Sequence, residues 1–346
     1  MRAKNAALLT GVCLLLQACT DSSRHTRGEM LYVSNEDSGN LSVIATASNE
    51  VVATVPVGKR PRGVRVSPDG RTVYVALSGS PKCPPWMSDE DCAAQVTDKT
   101  LDGIAVVDAA TRKLVRILPG GSDPETFDLS RDGTMLFVSN EDVGLASIVD
   151  NARGQVVKTV TVGEEPEGVR TSPDGELVYV TGETDHNVTV IETATGAARA
   201  QIPVGHRPRD AAFSSDSRLA YVTSEIDGTV SVIDVENDEV VKTITLPQGS
   251  RSMGVLVGVD DKKLFVSNGR SGTVSVVDLD TGQVVANVEV GPRPWGIALS
   301  TDGSKLYTAN GPSNDVSVVD TETFEVLDRI PVGESPWGIA IGPAIP

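Results

Sequence analysis

The sequence predicts an all-β fold, a seven-bladed β-propeller with four antiparallel strands in each blade. Three observations predict it: a short motif that recurs seven times, a nearly constant spacing of about 42 residues between its copies, and four strand-like runs in each repeat. Four short strands in a repeat of roughly 40–45 residues is the arrangement typical of propellers.

The recurring motif is Pro-x-Gly followed by an apolar strand, with substitutions in some copies. Its middle residues are 42 or 44 positions apart, except for one step of 63 positions, which contains an insertion of about 21 residues. These middle residues are Arg62, Glu125, Glu167, Arg209, Met253, Trp295 and Trp337. Seven copies predict seven blades.

Each repeat contains four runs that are rich in β-branched residues. A first strand such as Val64 to Val66 is followed by a Ser-Pro-Asp-Gly turn at Ser67 to Gly70. Tyr179 to Thr181 illustrates the second strand, Val230 to Asp234 the third and Val240 to Ile244 the fourth. Short β-branched runs separated by turn residues indicate an all-β array.

The two ends of the array are complementary. The repeats begin at Met30 with strands two, three and four of a blade, and they end with Gly338 to Ile341, a first strand without successors. We expect this last strand to join the N-terminal blade and close the ring, because closure removes an exposed sheet edge. The predicted propeller therefore spans residues 30–346.

The N-terminus is interpreted as a lipoprotein signal peptide over residues 1–18, followed by a tether over residues 19–29. Its apolar run, Ala6 to Leu16, is too short to span a bilayer. Leu16 to Cys19 resembles a bacterial lipobox, which implies lipidation of Cys19; the alternative is an ordinary signal peptide with an incidental cysteine. The position immediately after Cys19 is Thr20 and not Asp, so the resemblance implies an anchor in the outer membrane of a Gram-negative bacterium, facing the periplasm.

The insertion, about residues 78–101, contains the remaining two cysteines. Cys83 and Cys92 are nine positions apart, which in an oxidising compartment predicts a disulfide. Trp86 lies between them. We interpret it as part of a partial lid or a partner anchor, and the alternative is a surface loop without a role.

The net charge of the chain limits the classes of partner that it is expected to bind. The chain has a net charge of −17 and a pI of about 4.6. Because an acidic surface repels phosphate backbones, nucleic-acid binding is not expected.

Residues 30–343 resemble the YVTN-type propeller repeat of bacterial and archaeal envelope proteins. The signature tetrapeptide occurs as Tyr32 to Asn35, Tyr179 to Gly182 and Tyr221 to Ser224. Individual loops are similar to the subgroup associated with pyrroloquinoline-quinone-dependent alcohol catabolism and an associated transporter, which implies an accessory role there. These loops are Arg60 to Gly63, Ser122 to Glu125, Glu165 to Gly168, Arg207 to Arg209, Ser224 to Thr229, Asn310 to Asp315 and Pro336 to Gly338. The insertion departs from the family's usual pattern.

The seven middle residues are the candidate binding residues, because in a propeller the loops that carry them open on one face around the central channel. They are charged on four neighbouring blades and large and apolar on three. One interpretation is a rim that binds a ligand or partner; the alternative is a set of mutually neutralising Arg–Glu pairs with tryptophans packed against adjacent blades. Loops between strands two and three add Glu36, Glu141, Glu183 and Glu225 on the same face.

The sequence carries no strong signal for catalysis or for a cofactor. It has no Cys-x-x-Cys-His, no Gly-x-Ser-x-Gly and no phosphate loop, and the two cysteines of the insertion are not adjacent as quinone binding requires. No metal ligand is assigned. His186 and His206 lie in rim loops on neighbouring blades, and for them a transition-metal site and isolated exposed histidines are both open.

We therefore predict a non-enzymatic binding or scaffold module, monomeric and attached to the membrane only by a lipid. It is expected to present Trp295, Trp337 and Arg62 to a periplasmic protein partner. The alternatives are a small-molecule or metal-binding receptor and a weakly marked hydrolase or lyase, either of which would use the mouth of the channel.

Overall fold

A computed structural model describes residues 28–82, 87–88, 90–91 and 94–345. The predicted signal peptide and nearly all of the tether lie outside the described residues, as do Cys19, Cys83, Trp86 and Cys92. The described part of the chain contains no helix that is long and apolar enough to cross a membrane.

The described residues form seven four-stranded antiparallel sheets, which confirms the predicted propeller with its four strands per blade. The first three blades, in chain order, contain β1 (Glu29–Asn35), β2 (Asn40–Ala45), β3 (Glu50–Pro56); β4 (Pro61–Val66), β5 (Thr72–Leu77), β6 (Gly103–Asp108), β7 (Lys113–Leu118); and β8 (Pro124–Leu129), β9 (Met135–Asn140), β10 (Leu145–Asp150), β11 (Gln155–Thr161).

The remaining blades contain β12 (Pro166–Thr171), β13 (Leu177–Gly182), β14 (Asn187–Glu192), β15 (Ala197–Pro203); β16 (Pro208–Phe213), β17 (Leu219–Ser224), β18 (Thr229–Asp234), β19 (Glu239–Thr245); β20 (Ser252–Val257), β21 (Lys263–Asn268), β22 (Thr273–Asp278), β23 (Gln283–Glu289); and β24 (Pro294–Leu299), β25 (Lys305–Asn310), β26 (Asp315–Asp320), β27 (Val326–Pro331), with β28 (Pro336–Pro343) last. Short 3-10 turns occupy Lys99–Leu101, Glu141–Val143 and Gly311–Ser313.

The last strand closes the ring as predicted. β28 pairs with β1 in antiparallel register, with Tyr32 opposite Ala340 and Leu31 opposite Ile341. The sheet order is therefore β28-β1-β2-β3. β1 begins at Glu29, one residue before the expected start of the propeller.

The glycine of the motif is explained by the distance between neighbouring inner strands. A Cβ on Gly168 would lie 2.4 Å from the carbonyl oxygen of Arg209, and one on Gly338 would lie 2.2 Å from that of Arg62. A side chain at either glycine would therefore collide with the neighbouring first strand. The two blades without this glycine carry Thr126 and Asp210 there.

The hydroxyl in the third position of the tetrapeptide links one blade to the next. It donates a hydrogen bond to the backbone carbonyl of a motif middle residue on the following blade, and the backbone of that residue is thereby fixed. The measured bonds are Ser34 to Arg62 (2.5 Å), Ser139 to Glu167 (2.8 Å), Thr223 to Met253 (2.6 Å) and Ser267 to Trp295 (2.8 Å).

The hydrophobic core is divided among the interfaces between blades. One cluster combines Tyr179 and Val190, from the blade of β12–β15, with Phe213 and Val222, from the blade of β16–β19. The rings of Tyr179 and Phe213 meet edge to face, with centroids 4.8 Å apart. This packing between every pair of neighbours holds the inner strands around the channel.

Candidate functional site

The channel mouth brings together the middle residues of the motif, as the sequence predicts. Five of them line one cavity of about 70 Å³, namely Glu167, Arg209, Met253, Trp295 and Trp337. A water molecule needs roughly 10–15 Å³ of such volume, so the cavity holds a few waters. Larger ligands must therefore bind at the mouth above it.

The same turn geometry precedes the middle residue on every blade. Two positions before each middle residue the backbone adopts a left-handed conformation, with φ between 43° and 61°. These residues are Arg60, Asp123, Glu165, Arg207, Arg251, Arg293 and Ser335. Because all seven blades share the conformation, it belongs to the architecture of the turn.

Arg62 is enclosed by three carboxylates from the two neighbouring blades. It contacts Glu125, approaches Glu36 at 3.5 Å and pairs with Glu141 at 3.0 Å. Arg60 also pairs with Glu36, at 3.1 Å. Only 8% of Arg62 is exposed. We call these five residues the first ionic cluster.

The pKa of Glu36 records the strength of this cluster. Burial alone would raise the pKa of its carboxyl group, but Arg62, Arg60 and Lys82 outweigh burial and lower it to about 2. Glu36 is therefore ionised at neutral pH.

The described ends of the insertion cover the first ionic cluster. Lys82 pairs with Glu36 at 3.0 Å and with Asp37 at 2.9 Å, and Lys99 pairs with Asp142 at 2.6 Å. Arg60 donates to the carbonyl oxygen of Ser80 at 2.9 Å. This loop consequently ties three blades together on the ionic side of the mouth.

The second ionic cluster surrounds Arg209. Arg209 contacts Glu167 and pairs with Glu183 and Glu225, each at 2.6 Å. Arg207 also contacts Glu183 and lies 3.5 Å from Glu225. Three carboxyl groups thus share two guanidinium groups, which leaves one negative charge uncompensated if every carboxyl group is ionised.

One proton removes that imbalance. Burial raises the pKa of Glu167 well above its usual value; Arg209 opposes the rise and the neighbouring Glu183 adds to it. The pKa of Glu183 is lowered: burial opposes this, but the hydrogen bond with Glu167 and the charges of Arg209 and Arg207 outweigh it. The directions of the two shifts assign a proton held by this pair to Glu167.

Two further ion pairs lie on the channel wall, and sequence reasoning missed them. Arg65 pairs with Asp128 and Arg170 with Asp210, both at 3.1 Å. Burial, together with the nearby Arg170, lowers the pKa of Arg65. The available signal was a second charged residue in each of these first strands, after the middle residue of the motif.

The other half of the mouth is aromatic. The rings of Trp295 and Trp337 stack with centroids 5.4 Å apart and planes inclined by 24°, and both side chains are half-buried. The guanidinium of Arg209 lies 5.7 Å from the Trp295 ring, and that of Arg293 lies 5.0 Å from it. Both distances are within cation–π range. Met253 is buried beside the pair.

An arginine cluster borders the tryptophans. Arg270, Arg293 and Arg329 line one surface depression together with Glu289. Arg329 lies 3.9 Å from Asp315, whereas Arg270 and Arg293 make no ion pair with any described residue. Sequence reasoning missed this cluster. The available signal was Arg293, which occupies the left-handed position two residues before the uncharged middle residue Trp295.

The two histidines of the mouth are adjacent. The rings of His186 and His206 have centroids 4.6 Å apart and planes inclined by 65°. Within the described ranges, no group of three or more His, Cys, Asp or Glu side chains is arranged to hold a metal ion.

The YNCE-like beta-propeller family model matches residues 173–344, just under half of the chain. Together with propellers among the solved structures, this match supports a YVTN-type propeller family. The resemblance derived from the tetrapeptides leads to the same family. A search of the curated proteins finds no match.

Among solved structures, the chain is similar to the periplasmic gluconolactonase PpgL of Pseudomonas aeruginosa, with 22% identity and a TM-score of 0.71 over 92% of this chain and 100% of that one. A functionally unknown protein from Desulfotomaculum acetoxidans DSM 771 has 16% identity and a TM-score of 0.75 over 90% and 98%. Hydrazine synthase of Kuenenia stuttgartiensis has 21% identity and a TM-score of 0.68 over 80% and 88%. These likenesses concern the fold.

Proposed function

We propose that the chain is a non-enzymatic binding or scaffold module that engages a protein partner through the aromatic half of its channel mouth. One observation carries the proposal: Trp295 and Trp337 form a stacked, half-buried pair beside Arg293, whose charge no described acid neutralises. Tryptophan and arginine are the side chains most enriched at the energetic centres of protein interfaces.

The ionic half of the mouth supports no such contact. Arg62 is buried and saturated by Glu36, Glu125 and Glu141, so it is not available to a partner. The alternative of mutually neutralising Arg–Glu pairs therefore describes this half of the mouth. In the proposed contact surface, Arg293 takes the place that the sequence assigned to Arg62.

Charge complementarity indicates the chemistry of the partner. Arg270 and Arg293 are exposed and form no ion pair with a described residue, on a chain whose net charge is −17, so they form a local positive region. An acidic segment that presents an apolar residue to the tryptophans fits this surface. The cavity of about 70 Å³ beneath is too small for a metabolite-sized ligand, for which pockets of roughly 300–1,000 Å³ are typical.

The proposed location is the periplasmic side of the outer membrane, with lipidated Cys19 as the anchor and residues 19–29 as the tether. The loop resemblances favour a partner in a quinoprotein alcohol-oxidation or transport system. Support for the location comes from the N-terminal sequence and support for the partner from the loops that surround the mouth.

Affinity co-purification from the cell envelope tests the proposal. Wild type is compared with the Trp295→Ala/Trp337→Ala double variant and with Arg218→Ala, a matched control at an exposed turn residue outside the mouth (relative side-chain exposure 85%). Circular dichroism must show that all three fold equally. A partner recovered with wild type and Arg218→Ala but lost with the double variant supports the proposal. A partner retained by the double variant, or none recovered with wild type, overturns it.

One observation favours a second candidate, a hydrolase or lyase. Glu167 is buried, its pKa is raised by burial and it faces the cavity, and a carboxyl group of raised pKa is suited to general acid catalysis. The test is hydrolysis of aldonolactones by wild type and by Glu167→Gln, against the spontaneous rate. A wild-type rate above background that falls at least 100-fold in the variant supports an enzyme; equal rates exclude this role of Glu167.

A further inference from the structure

His186 and His206 approach each other from two loops of the rim. His186 lies in the loop between β13 and β14, and His206 in the loop between β15 and β16. Their ring centroids are 4.6 Å apart. His206 is largely exposed and His186 is half-buried, so the pair is open to solvent on one side.

The Nδ1 atoms of both rings are turned towards the protein. Nδ1 of His206 lies 3.0 Å from a carboxylate oxygen of Asp227. Nδ1 of His186 lies 3.0 Å from the carbonyl oxygen of Glu183, which is an acceptor. The backbone N–H of Arg207 lies 3.3 Å from the same Nδ1 and would donate to it in the other tautomer. In the tautomer in which His186 donates its Nδ1 proton to Glu183 and His206 donates to Asp227, each Nε2 carries a free lone pair and has no partner among the described residues.

The fold does not require histidine at these positions. His186 has a φ of 55°, and its counterparts on other blades are Gly39, Gly144, Gly228, Gly272 and Asn314, residue types that tolerate the left-handed region well. The backbone of this blade is therefore strained at His186, the position that carries the imidazole.

The acceptor Asp227, in contrast, has a structural role. It receives the backbone N–H of His206 at 2.8 Å, and on the preceding blade Asp185 receives that of Glu164 at 3.0 Å in the same way. Because Glu164 replaces the histidine there, the turn forms without it. The imidazole of His206 is an addition to a turn that Asp227 already holds.

We propose that His186 and His206 form a two-histidine site for a late first-row divalent transition-metal ion, bound through both Nε2 atoms and completed by water. A ring nitrogen held by a carboxylate or a backbone carbonyl is the usual outer contact of a metal-binding histidine, since it fixes the tautomer and the orientation of the ring. Imidazole ligands suit Cu²⁺, Ni²⁺ and Zn²⁺, and Cu²⁺ binds most tightly in this series.

The site is separate from the tryptophan surface and does not depend on the proposed function. It lies beside the second ionic cluster, because the carbonyl that holds His186 belongs to Glu183. A bound ion joins the β13–β14 loop to the β15–β16 loop and so adds a link between two neighbouring blades.

Copper titration of the full chain, carrying no polyhistidine tag, tests the proposal. Electron paramagnetic resonance is expected to show one Cu²⁺ per chain coordinated by two nitrogens. His186→Asn and His206→Asn are expected to bind Cu²⁺ at least 10-fold more weakly, because asparagine retains the left-handed backbone and a side-chain donor but lacks Nε2. His25→Gln, the remaining histidine, is the matched control and is expected to bind like wild type.

Two results would overturn the site. One is wild-type affinity in either asparagine variant; the other is a wild-type spectrum indistinguishable from that of the His186→Asn/His206→Asn double variant. The spectrum of wild type alone counts the coordinating nitrogens, so the test stands even if a variant folds poorly. Saturating Cu²⁺ is also expected to raise the unfolding temperature of wild type but not of the double variant.

Discussion

Glu167 and Glu183 lie side by side inside the channel mouth, where both contact the guanidinium group of Arg209. They belong to the second ionic cluster, in which Arg207 and Arg209 face three carboxyl groups. One proton on this pair would balance the charge of the cluster, and the pKa of Glu167 is raised while that of Glu183 is lowered.

The raised pKa of Glu167 predicts an unusual response to pH. The folded-state pKa of Glu167 is raised above its unfolded value, so wild type loses stability as pH rises from about 4.5 towards that raised pKa. Glu167→Gln keeps a hydrogen-bond donor to Glu183 without an ionisable group. We expect the stability of the variant relative to wild type to increase with pH above 4.5, measured by urea unfolding at pH 4.5, 6, 7.5 and 9. A constant difference across this range would show that Glu167 is ionised in the folded protein.

Arg209 is predicted to be the most sensitive ionic residue of the mouth. Arg209→Leu leaves Glu167, Glu183 and Glu225 without their common counter-ion in a buried site, where removal of one partner typically costs about 3–5 kcal/mol. Urea unfolding at pH 7 measures the loss. Arg218→Leu removes an exposed arginine paired with Asp216 and is expected to change the free energy of unfolding by less than about 1 kcal/mol. Equal effects of the two substitutions would contradict the assignment of Arg209 to a buried cluster.

Glu36 predicts a pH dependence of the opposite sign. Its folded-state pKa is about 2 and its unfolded value about 4.5, so its contribution is complete above pH 4.5 and disappears as pH falls towards 2. The shift corresponds to roughly 3 kcal/mol at neutral pH. Glu36→Gln is therefore expected to be destabilised by about that amount at pH 7 and to match wild type near pH 2.

The matched control for Glu36 is Glu176→Gln, which changes an exposed carboxylate without an ion pair among the described residues. Its free energy of unfolding, measured by urea at pH 7, 4.5, 3 and 2, is expected to follow that of wild type at every pH. A gap between wild type and Glu36→Gln that persists at pH 2 would assign the effect of Glu36 to packing instead of charge.

The fold was predictable because the regular spacing of the motif along the sequence indicates the number and order of the blades. Nearly equal spacings, such as those from Arg209 to Met253 and from Trp295 to Trp337, are properties of the sequence alone. A strand position that all repeats share must lie at the channel. The same reasoning placed the seven middle residues at the mouth. It also predicted closure of the ring, because the N-terminal blade lacks a first strand and the C-terminus supplies one.

The pairing of side chains across the ring was not predictable in this way. Arg62 and Glu141 are 79 positions apart and come into contact through the curvature of the ring and the length of both side chains. Likewise, the Arg65–Asp128 pair requires two neighbouring strands to face the same channel at the same height. Such contacts depend on blade angles, which no single repeat specifies.

The closest approach between inner strands gives the last prediction. Gly338, at the point where β28 closes the ring, would place a Cβ 2.2 Å from the carbonyl oxygen of Arg62 and 3.0 Å from Oγ of Ser34. Ser34 Oγ accepts the backbone N–H of Gly338 at 2.8 Å, so neither atom can move without loss of a hydrogen bond. Gly338→Ala is therefore expected to destabilise the propeller by about 1–3 kcal/mol, as overpacking of a filled interior does.

Thermal and urea unfolding measure the change, with Gly28→Ala as the control, because nothing lies within 4 Å of a Cβ at that position. A loss with Gly338→Ala and none with Gly28→Ala is the expected result, since the cost arises from contact between two blades and not from the glycine itself. Equal stability of the two variants would mean that β28 is displaced from β4 more easily than the structure implies.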